Sequence, residues 1–565
     1  MRIAIAQIDP VVGAFEANVK KIKEAHQRAS SKKSRILITP ELSLCGYPPH
    51  DLMDRPEMVE RNEKALEDLR EFTQGKACAL LVGHVAKTPS EFGRPSQNCV
   101  TILEDGKRVF RQAKTLLPTY DVFDEARYFE PAEEVKLYTC DGKKIAVAIC
   151  EDLWAGDPAF GRRLYGRNPV EDYRAQGAAL VLSVSASPYE WAKTAHRQEL
   201  HAEVARTLRA PLVYLNQVGA TDEILFDGAS FALNADGSLI GRLPSFKTSF
   251  GLLEMDGGEG LFESPDATSR EDDSPSEIEV LERALVTGIR EYFSRTGFKT
   301  AILGLSGGID SAVVAALAVQ ALGPKQVLGV AMPSQYSSSH SLEDAEILAK
   351  NLGIGFEVRP IKFQYSTLSR EIADRRGELA PLALENLQSR LRGIILMTLA
   401  NHYGALLFTT ANKSELATGY CTLYGDMAGA LAPLGDLFKT RVYDLATWIN
   451  QAHGGVIPER TLTKAPSAEL RPNQKDQDTL PPYEVLDRLL ADYIQAGVSV
   501  AELEKRYGKP SGTPTGTLKP GWVSETLRRL EINEYKRRQA PPVLKVSPKA
   551  FGIGRRIPIA KIWDQ

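Results

Sequence analysis

The chain has 565 residues, 43% of them hydrophobic and 25% charged, with a formal net charge of −3. That mixture excludes wholesale disorder, and at roughly 150 residues per domain the length calls for more than one core. A near-neutral balance supplies no basic field for nucleic acid or an anionic membrane, and six cysteines without paired CxxC spacing make neither a disulfide framework nor a zinc ribbon.

The chain begins with a short β-type run at residues 1–8, broken by Asp9-Pro10, which lacks the longer apolar core of a signal peptide. No run reaches the roughly 18 apolar residues of a membrane helix. The expected compartment is the reducing cytoplasm, with no membrane partner. Apolar runs at 36–39, 79–83, 145–149, 180–184 and 212–215 read as buried strands, and Glu104-Asp105-Gly106 reads as a hairpin turn. A Gly/Pro/Ser/acidic stretch at 256–276 reads as a linker between domains at 1–255 and 277–565. Beyond it the rhythm becomes strand, turn, helix, strand: 301–305, a buried helix at 312–322, then strands at 327–332 and 406–409. Two α/β domains are expected.

The turn Gly304-Leu305-Ser306-Gly307-Gly308-Ile309-Asp310-Ser311 joins a strand to a helix. Unpaired N–H groups in a glycine turn at a helix N-terminus bind anions, and glycine lets phosphate approach. Asp310 fits an anion site only if a divalent cation joins it to phosphate. No Walker A loop occurs, and Gly508-Lys509-Pro510-Ser511 fails that pattern. Ser-Gly-Gly-x-Asp-Ser instead resembles the pyrophosphatase-type ATP loop of enzymes that adenylylate a substrate.

Further words follow: Asn386 and Arg390, four apart at the opening of a helix; Thr409-Thr410-Ala411-Asn412-Lys413-Ser414-Glu415; Tyr424-Gly425-Asp426; and Pro466-Ser467-Ala468-Glu469-Leu470. Together these resemble NAD synthetases over most of residues 285–545. The resemblance implies that the carboxylate of deamido-NAD attacks ATP, pyrophosphate leaves, and ammonia displaces AMP. It implies that residues 304–311 and Thr410 bind ATP and that Asp310 and Glu415 are Mg²⁺ ligands. It further implies that Asn386, Glu415 and Lys536 lie at deamido-NAD, and that Lys439 stabilises transition-state charge. Taken alone, the basic run around Lys536 reads equally as a solvated helix end or an RNA-favouring patch.

Ammonium is no nucleophile, so a synthetase gains by releasing ammonia in a protected cavity, which needs a nucleophile, a base and an oxyanion stabiliser. Cys150 follows the strand at 145–149, where a turn exposes it to substrate; Glu41 lies where another strand stops; Lys114 follows a third. A strand-end cysteine by itself is most often a small buried hydrophobe, and Cys45, Cys78, Cys99, Cys140 and Cys421 are read so. In the order Glu41, Lys114, Cys150, with Lys114-Thr115-Leu116-Leu117-Pro118 and Cys150-Glu151-Asp152-Leu153-Trp154 around them, the first 250 residues resemble the nitrilase superfamily. That implies an α-β-β-α sandwich with a Glu-Lys-Cys triad. It also implies glutamine contacts at Tyr120, Ser187 and Lys193, the last an Arg in some members. In this reading Lys114 lowers the thiol pKa and Glu41 takes its proton.

The fold class expected is therefore α/β, a nitrilase-like sandwich followed by a parallel-sheet ATP-pyrophosphatase-loop domain. The function expected is ATP-dependent amidation of deamido-NAD with glutamine nitrogen, by a homo-oligomer built on synthetase-domain dimers. The rivals are another amidotransferase with the same ATP loop, an RNA-modifying or RNA-binding protein, and an inactive homologue. The eight histidines form no zinc-binding pattern, so no transition-metal site is expected.

Overall fold

A computed structural model of the chain describes residues 1–256, 259–264, 275–508 and 518–562, and its contacts divide it into units of Met1–Val280 and Leu281–Gln565. In the first unit, β1 (Arg2–Gln7), β2 (Ile36–Ile38), β3 (Ala79–Lys87), β4 (Ser96–Glu104) and β5 (Lys107–Ala113) lie in one sheet. A second sheet holds β6 (Leu137–Cys140), β7 (Lys143–Ile149), β8 (Leu180–Ser185) and β9 (Leu212–Asn216). Strands β10 (Val218–Thr221) and β11 (Ile224–Asp227) form a separate pair. Then β12 (Phe231–Leu233) and β13 (Leu239–Arg242) extend the second sheet, while β14 (Ser249–Asp256) and β15 (Glu259–Glu263) extend the first.

Strands made of Ile, Leu, Val and Ala without polar alternation are buried on both faces, as a four-layer arrangement requires. Ile3, Ile5, Ile36, Ile145, Val147 and Leu182 pack between the sheets. The opposite faces take α1 (Phe15–Ser31) and α2 (Pro56–Phe72) on one side, and α3 (Pro169–Gln176) and α4 (Lys193–Leu208) on the other. Helix α1 buries Phe15, Val19, Ile22, His26 and Ala29, a stripe at helical spacing. The layers run α-β-β-α. Asp105 and Gly106 both have positive φ, 46° and 70°, which closes the β4–β5 hairpin as its sequence predicts.

The segment read as a linker carries structure: β14 runs to Asp256, and β15 pairs with it as the sheet edge. Residues 257–258 and 265–274 of that segment lie outside the described residues, as do residues 509–517, which include most of Gly508-Lys509-Pro510-Ser511.

The second unit, entered along α5 (Glu277–Thr296), is built on a parallel sheet of order β18-β17-β16-β19. Its strands are β16 (Ala301–Gly304), β17 (Val327–Ala331), β18 (Gly355–Val358) and β19 (Leu406–Phe408). Helix α6 (Ile309–Leu322) follows the glycine turn and is buried through Ala318, because its small apolar residues face neighbours all round. Then come α7 (Ser339–Leu352), α8 (Lys362–Arg376), α9 (Pro381–Tyr403), α10 (Lys413–Thr418), α11 (Lys439–Ala452), α12 (Glu459–Thr463) and α13 (Tyr483–Ile494).

Three expectations need correction. Asn386 does not open its helix, which starts at Pro381, since proline at the first position costs no hydrogen bond. The run at 533–539 is no solvated end: Arg537 is buried, donates to Glu534 Oε2 at 2.9 Å and caps the Leu416 and Ala417 carbonyls. Cys421 is only partly buried, unlike Cys45, Cys78, Cys99 and Cys140. Among the described residues no helix is long and apolar enough to cross a membrane.

Candidate active sites

In the first unit, the ends of β2, β5 and β7 deliver Glu41, Lys114 and Cys150. The Glu41 turn presses on β3 at Gly83, where a Cβ would lie 2.4 Å from the Pro40 carbonyl oxygen. Glu41 Oε1 accepts Lys114 Nζ and Asn98 Nδ2, both at 2.7 Å, and Oε2 accepts the Ala186 N–H at 2.9 Å. Lys114 Nζ donates again to Glu125 Oε1 at 2.7 Å, and that oxygen also accepts Tyr47 Oη at 2.8 Å. All these side chains are buried.

Burial opposes the charge on Lys114, yet Glu125 and Glu41 outweigh it and hold the ammonium well above the usual lysine range. Burial, then the Glu41 charge, pushes the Cys150 thiol far up, against the pull of Lys114. Lys114 thus pulls the thiol downward, as expected, but its charge is shared by two carboxylates and burial with Glu41 outweighs it.

Cys150 has φ 44°, in the left-handed region, at the start of a 3₁₀ turn spanning Cys150–Leu153. Asp152 holds that turn. Its carboxylate accepts the Ile149 N–H at 3.1 Å and the Thr115 and Leu116 N–H groups at 2.9 Å each, locking the cysteine turn to the lysine loop. Tyr120 and Tyr165 donate to Glu151, the residue after the cysteine, at 3.0 and 2.7 Å. Ser187 follows β8, and Lys193 opens α4 with its ammonium 5.6 Å from the Trp154 ring centre.

In the second unit, Gly304 to Ser311 line a cavity of about 300 Å³ together with Thr410, Glu415 and Lys439. Gly307 is held at φ 76°, and a Cβ there would lie 2.2 Å from the Ser341 carbonyl oxygen, so only glycine lets α7 approach the turn. Asp310 Oδ1 accepts Asn412 Nδ2 at 2.9 Å, and its Oδ2 accepts Lys439 Nζ. Lys439 is also 3.6 Å from Glu415 Oε1. Burial, then the Asp310 charge, raises the Glu415 carboxyl; Lys439, despite burial, is held charged by Asp310 and Glu415. Two carboxylates sharing one ammonium form a hard oxygen donor set that fits a divalent cation.

The residues of the 412–415 word divide three tasks between them. Asn412 and Glu415 form a reciprocal cap at the start of α10. Ser414 Oγ accepts the Lys439 N–H at 2.9 Å and donates to Asp487 at 2.5 Å, while Asp487 also accepts the Thr440 N–H at 2.9 Å, fixing the start of α11. Lys413, fully buried, donates to Asp436 Oδ1 and Ser547 Oγ at 2.7 Å each and to the Lys549 carbonyl at 2.6 Å.

Asn386 and Lys536 are not among the residues lining the cavity. Both grip the loop after α10: Asn386 Oδ1 accepts Thr422 Oγ1 at 2.8 Å, and Lys536 donates to the Gly419 and Cys421 carbonyls at 2.8 Å each. Sequence reasoning missed Glu125, Asn98, Asp152 and Asp487. Glu125 and Asp152 lay inside motif words, Val122-Phe123-Asp124-Glu125 and Cys150-Glu151-Asp152-Leu153-Trp154, without a role of their own; Asn98 and Asp487 carry no spacing that marks them.

Residues 2–257 match the carbon-nitrogen hydrolase family, and residues 281–540 match the NAD synthase family. The fold and these matches define a ligase in which an amide-cleaving sandwich is fused to an NAD synthase unit. A glutamine-dependent NAD(+) synthetase of Synechocystis is 44% identical over 99% of both chains, and that of Thermotoga maritima is 38% identical over 100% of this chain and 99% of its own. The Acinetobacter baumannii synthetase, solved in complex with adenosine diphosphate, aligns with a TM-score of 0.76 at 35% identity over 99% of this chain and 98% of its own. The chain belongs to the glutamine-dependent NAD(+) synthetase family, and its activity is glutamine-dependent NAD synthesis from deamido-NAD. The RNA-directed reading and the other amidotransferases fall away.

Proposed function

We propose that Cys150, Glu41 and Lys114 release ammonia from glutamine, and that the glycine-turn cavity uses it to amidate an adenylylated deamido-NAD. The observation that carries the reading is the presence in one chain of a buried Cys-Lys-Glu cluster and a cavity gathering Asp310, Glu415 and Lys439 at a phosphate-type turn. Glu41 takes the thiol proton as sulfur attacks the amide carbon, and passes it to the leaving nitrogen, so that a thioester and ammonia result. Lys114, held protonated by two carboxylates, stabilises the oxyanion. Glu41 then activates water, which hydrolyses the thioester to glutamate. Tyr120, Ser187 and Lys193 hold the glutamine, with Lys193 meeting the α-carboxylate as a point charge.

In the cavity, N–H groups of the turn at 304–311 and Thr410 receive ATP. The nicotinate carboxylate oxygen bonds to the α-phosphorus and pyrophosphate leaves; ammonia then attacks the acyl carbon and AMP leaves. Lys439 offsets charge on the phosphoryl oxygens. Asp310 and Glu415 are the residues that would hold Mg²⁺, which when bound neutralises phosphate charge. Asn386 and Lys536 shape the deamido-NAD side through the loop at 419–422. Deamido-NAD-dependent exchange of labelled pyrophosphate into ATP, with no nitrogen source present, tests the adenylylate. Absent exchange beside intact NAD formation would overturn it.

A homo-oligomer built on synthetase-domain dimers is supported by apolar side chains exposed on α9, with Leu382 67% and Ile394 61% accessible. Ile394→Glu is then expected to lower the molar mass seen by light scattering, and an unchanged mass would contradict that surface. The six cysteines are free, which suits a reducing cytoplasm.

A further inference from the structure

Ser187 and Lys193 stand on different segments, and one buried carboxylate ties both down. Asp227, at the end of β11, is fully buried. Its Oδ1 accepts Asn216 Nδ2 at 3.0 Å; its Oδ2 accepts Thr194 Oγ1 at 3.0 Å and the Arg197 guanidinium at 2.5 Å. Asn216, the last residue of β9, grips both sides of Ser187: its Oδ1 accepts the Ser187 N–H at 2.8 Å, and its Nδ2 donates to the Ser187 carbonyl at 3.1 Å. Thr194 and Arg197 occupy the first turns of α4, directly behind Lys193, on a helix entered through Ala192 at φ 65°. The neighbouring Ala186 N–H is the one bonded to Glu41.

A buried Asp–Arg pair adds little net stability over apolar residues of similar volume, so its value lies in what it orients. Here it orients the Ser187 peptide and the start of the Lys193 helix relative to one another and to the base. We infer that Asp227 and Asn216 are positioning residues for glutamine. They set the spacing at which the α-amino-acid end is read while the amide reaches Cys150, and they touch neither glutamine nor the reacting atoms. The inference rests on Ser187 and Lys193 being the glutamine contacts, and it makes glutamine KM, rather than thiol chemistry, the quantity the network controls.

The test uses the full-length protein and three variants, Asn216→Ala, Thr194→Val and Lys193→Ala. Glutamine KM and kcat are measured, together with the rate at which iodoacetamide, which has no α-amino-acid end, inactivates glutamine use. Thr194→Val should raise the glutamine KM about five- to tenfold, the worth of one buried hydrogen bond, and Asn216→Ala, which removes three, by about tenfold or more, with kcat and the iodoacetamide rate within about twofold of wild type for both. If Lys193→Ala raises KM while the other two leave it unchanged, the positioning role is overturned and the glutamine contacts stand. If Lys193→Ala leaves KM unchanged, the glutamine contacts themselves are misread. A parallel fall in kcat and in the iodoacetamide rate for Asn216→Ala and Thr194→Val also overturns the inference, because it would mean the nucleophile had moved.

Discussion

Lys413→Met probes how the ligase cavity is held. The substitution conserves most of the volume but removes the three donations to Asp436, Ser547 and the Lys549 carbonyl. Asp436 keeps the Ser547 Oγ–H at 2.8 Å on Oδ1, and on Oδ2 the Val546 and Ser547 N–H groups at 2.8 and 2.7 Å, yet its charge becomes unpaired in a fully buried place. Breaking a buried pair from one side costs about 3–5 kcal/mol. A loss of that size lowers the melting point of a domain this large by roughly 10 °C. Asp436→Asn in the Lys413→Met background should restore about 2 kcal/mol or more, because it removes the charge while its oxygen keeps both N–H groups. The assay is residual ammonium-driven NAD formation after graded heating, with glutamine hydrolysis on the same samples as the control for the first unit. A single variant as heat-resistant as wild type, or a double variant no better than the single, would refute the reasoning.

Gly307→Ala forces a Cβ onto the Ser341 carbonyl from a left-handed backbone, so the turn must move; a displacement near 1 Å is expected to cost about 100-fold in NAD formation from either nitrogen donor while glutamine hydrolysis survives. Equal kcat in the variant would show that the turn need not be fixed. Glu125 is pushed up to about 7 by burial, against Lys114 and with the Glu41 charge. Protonating it leaves Lys114 charged but paired with Glu41 alone, freeing more of its charge for the oxyanion, so kcat for glutamine hydrolysis should rise as pH drops through about 7, with the whole cluster titrating as a unit. Glu125→Gln should flatten that acid limb, and a limb that persists unchanged in a pH–rate profile would exclude Glu125 as its source.

Strand runs, the β4–β5 hairpin and the buried helix α6 could be read from the sequence because each is set by local pattern: apolar composition, an Asp-Gly turn, small residues on every face. Glu41, Lys114 and Cys150 were legible as strand-end residues of reactive type. Their electrostatics were not. That Lys114 would depress the thiol follows from pairwise charge, but burial and Glu41 reverse the sum, and burial is a property of the assembled fold. Glu125 joins Lys114 from a loop eleven residues on, and Lys413 meets Ser547 across a separation of 134 residues. No periodicity encodes such meetings. The segment at 256–276 reads as a linker by composition, yet β15 gains ladder hydrogen bonds from β14 that composition does not reveal.

The most direct measurement is NAD formation from deamido-NAD and ATP, with glutamine or with ammonium, in wild type, Cys150→Ala and Asp310→Ala. Wild type should use both donors, Cys150→Ala ammonium alone, and Asp310→Ala should be depressed with both. Equal loss of both activities in a folded Cys150→Ala would contradict the division of labour between thiol and glycine-turn cavity.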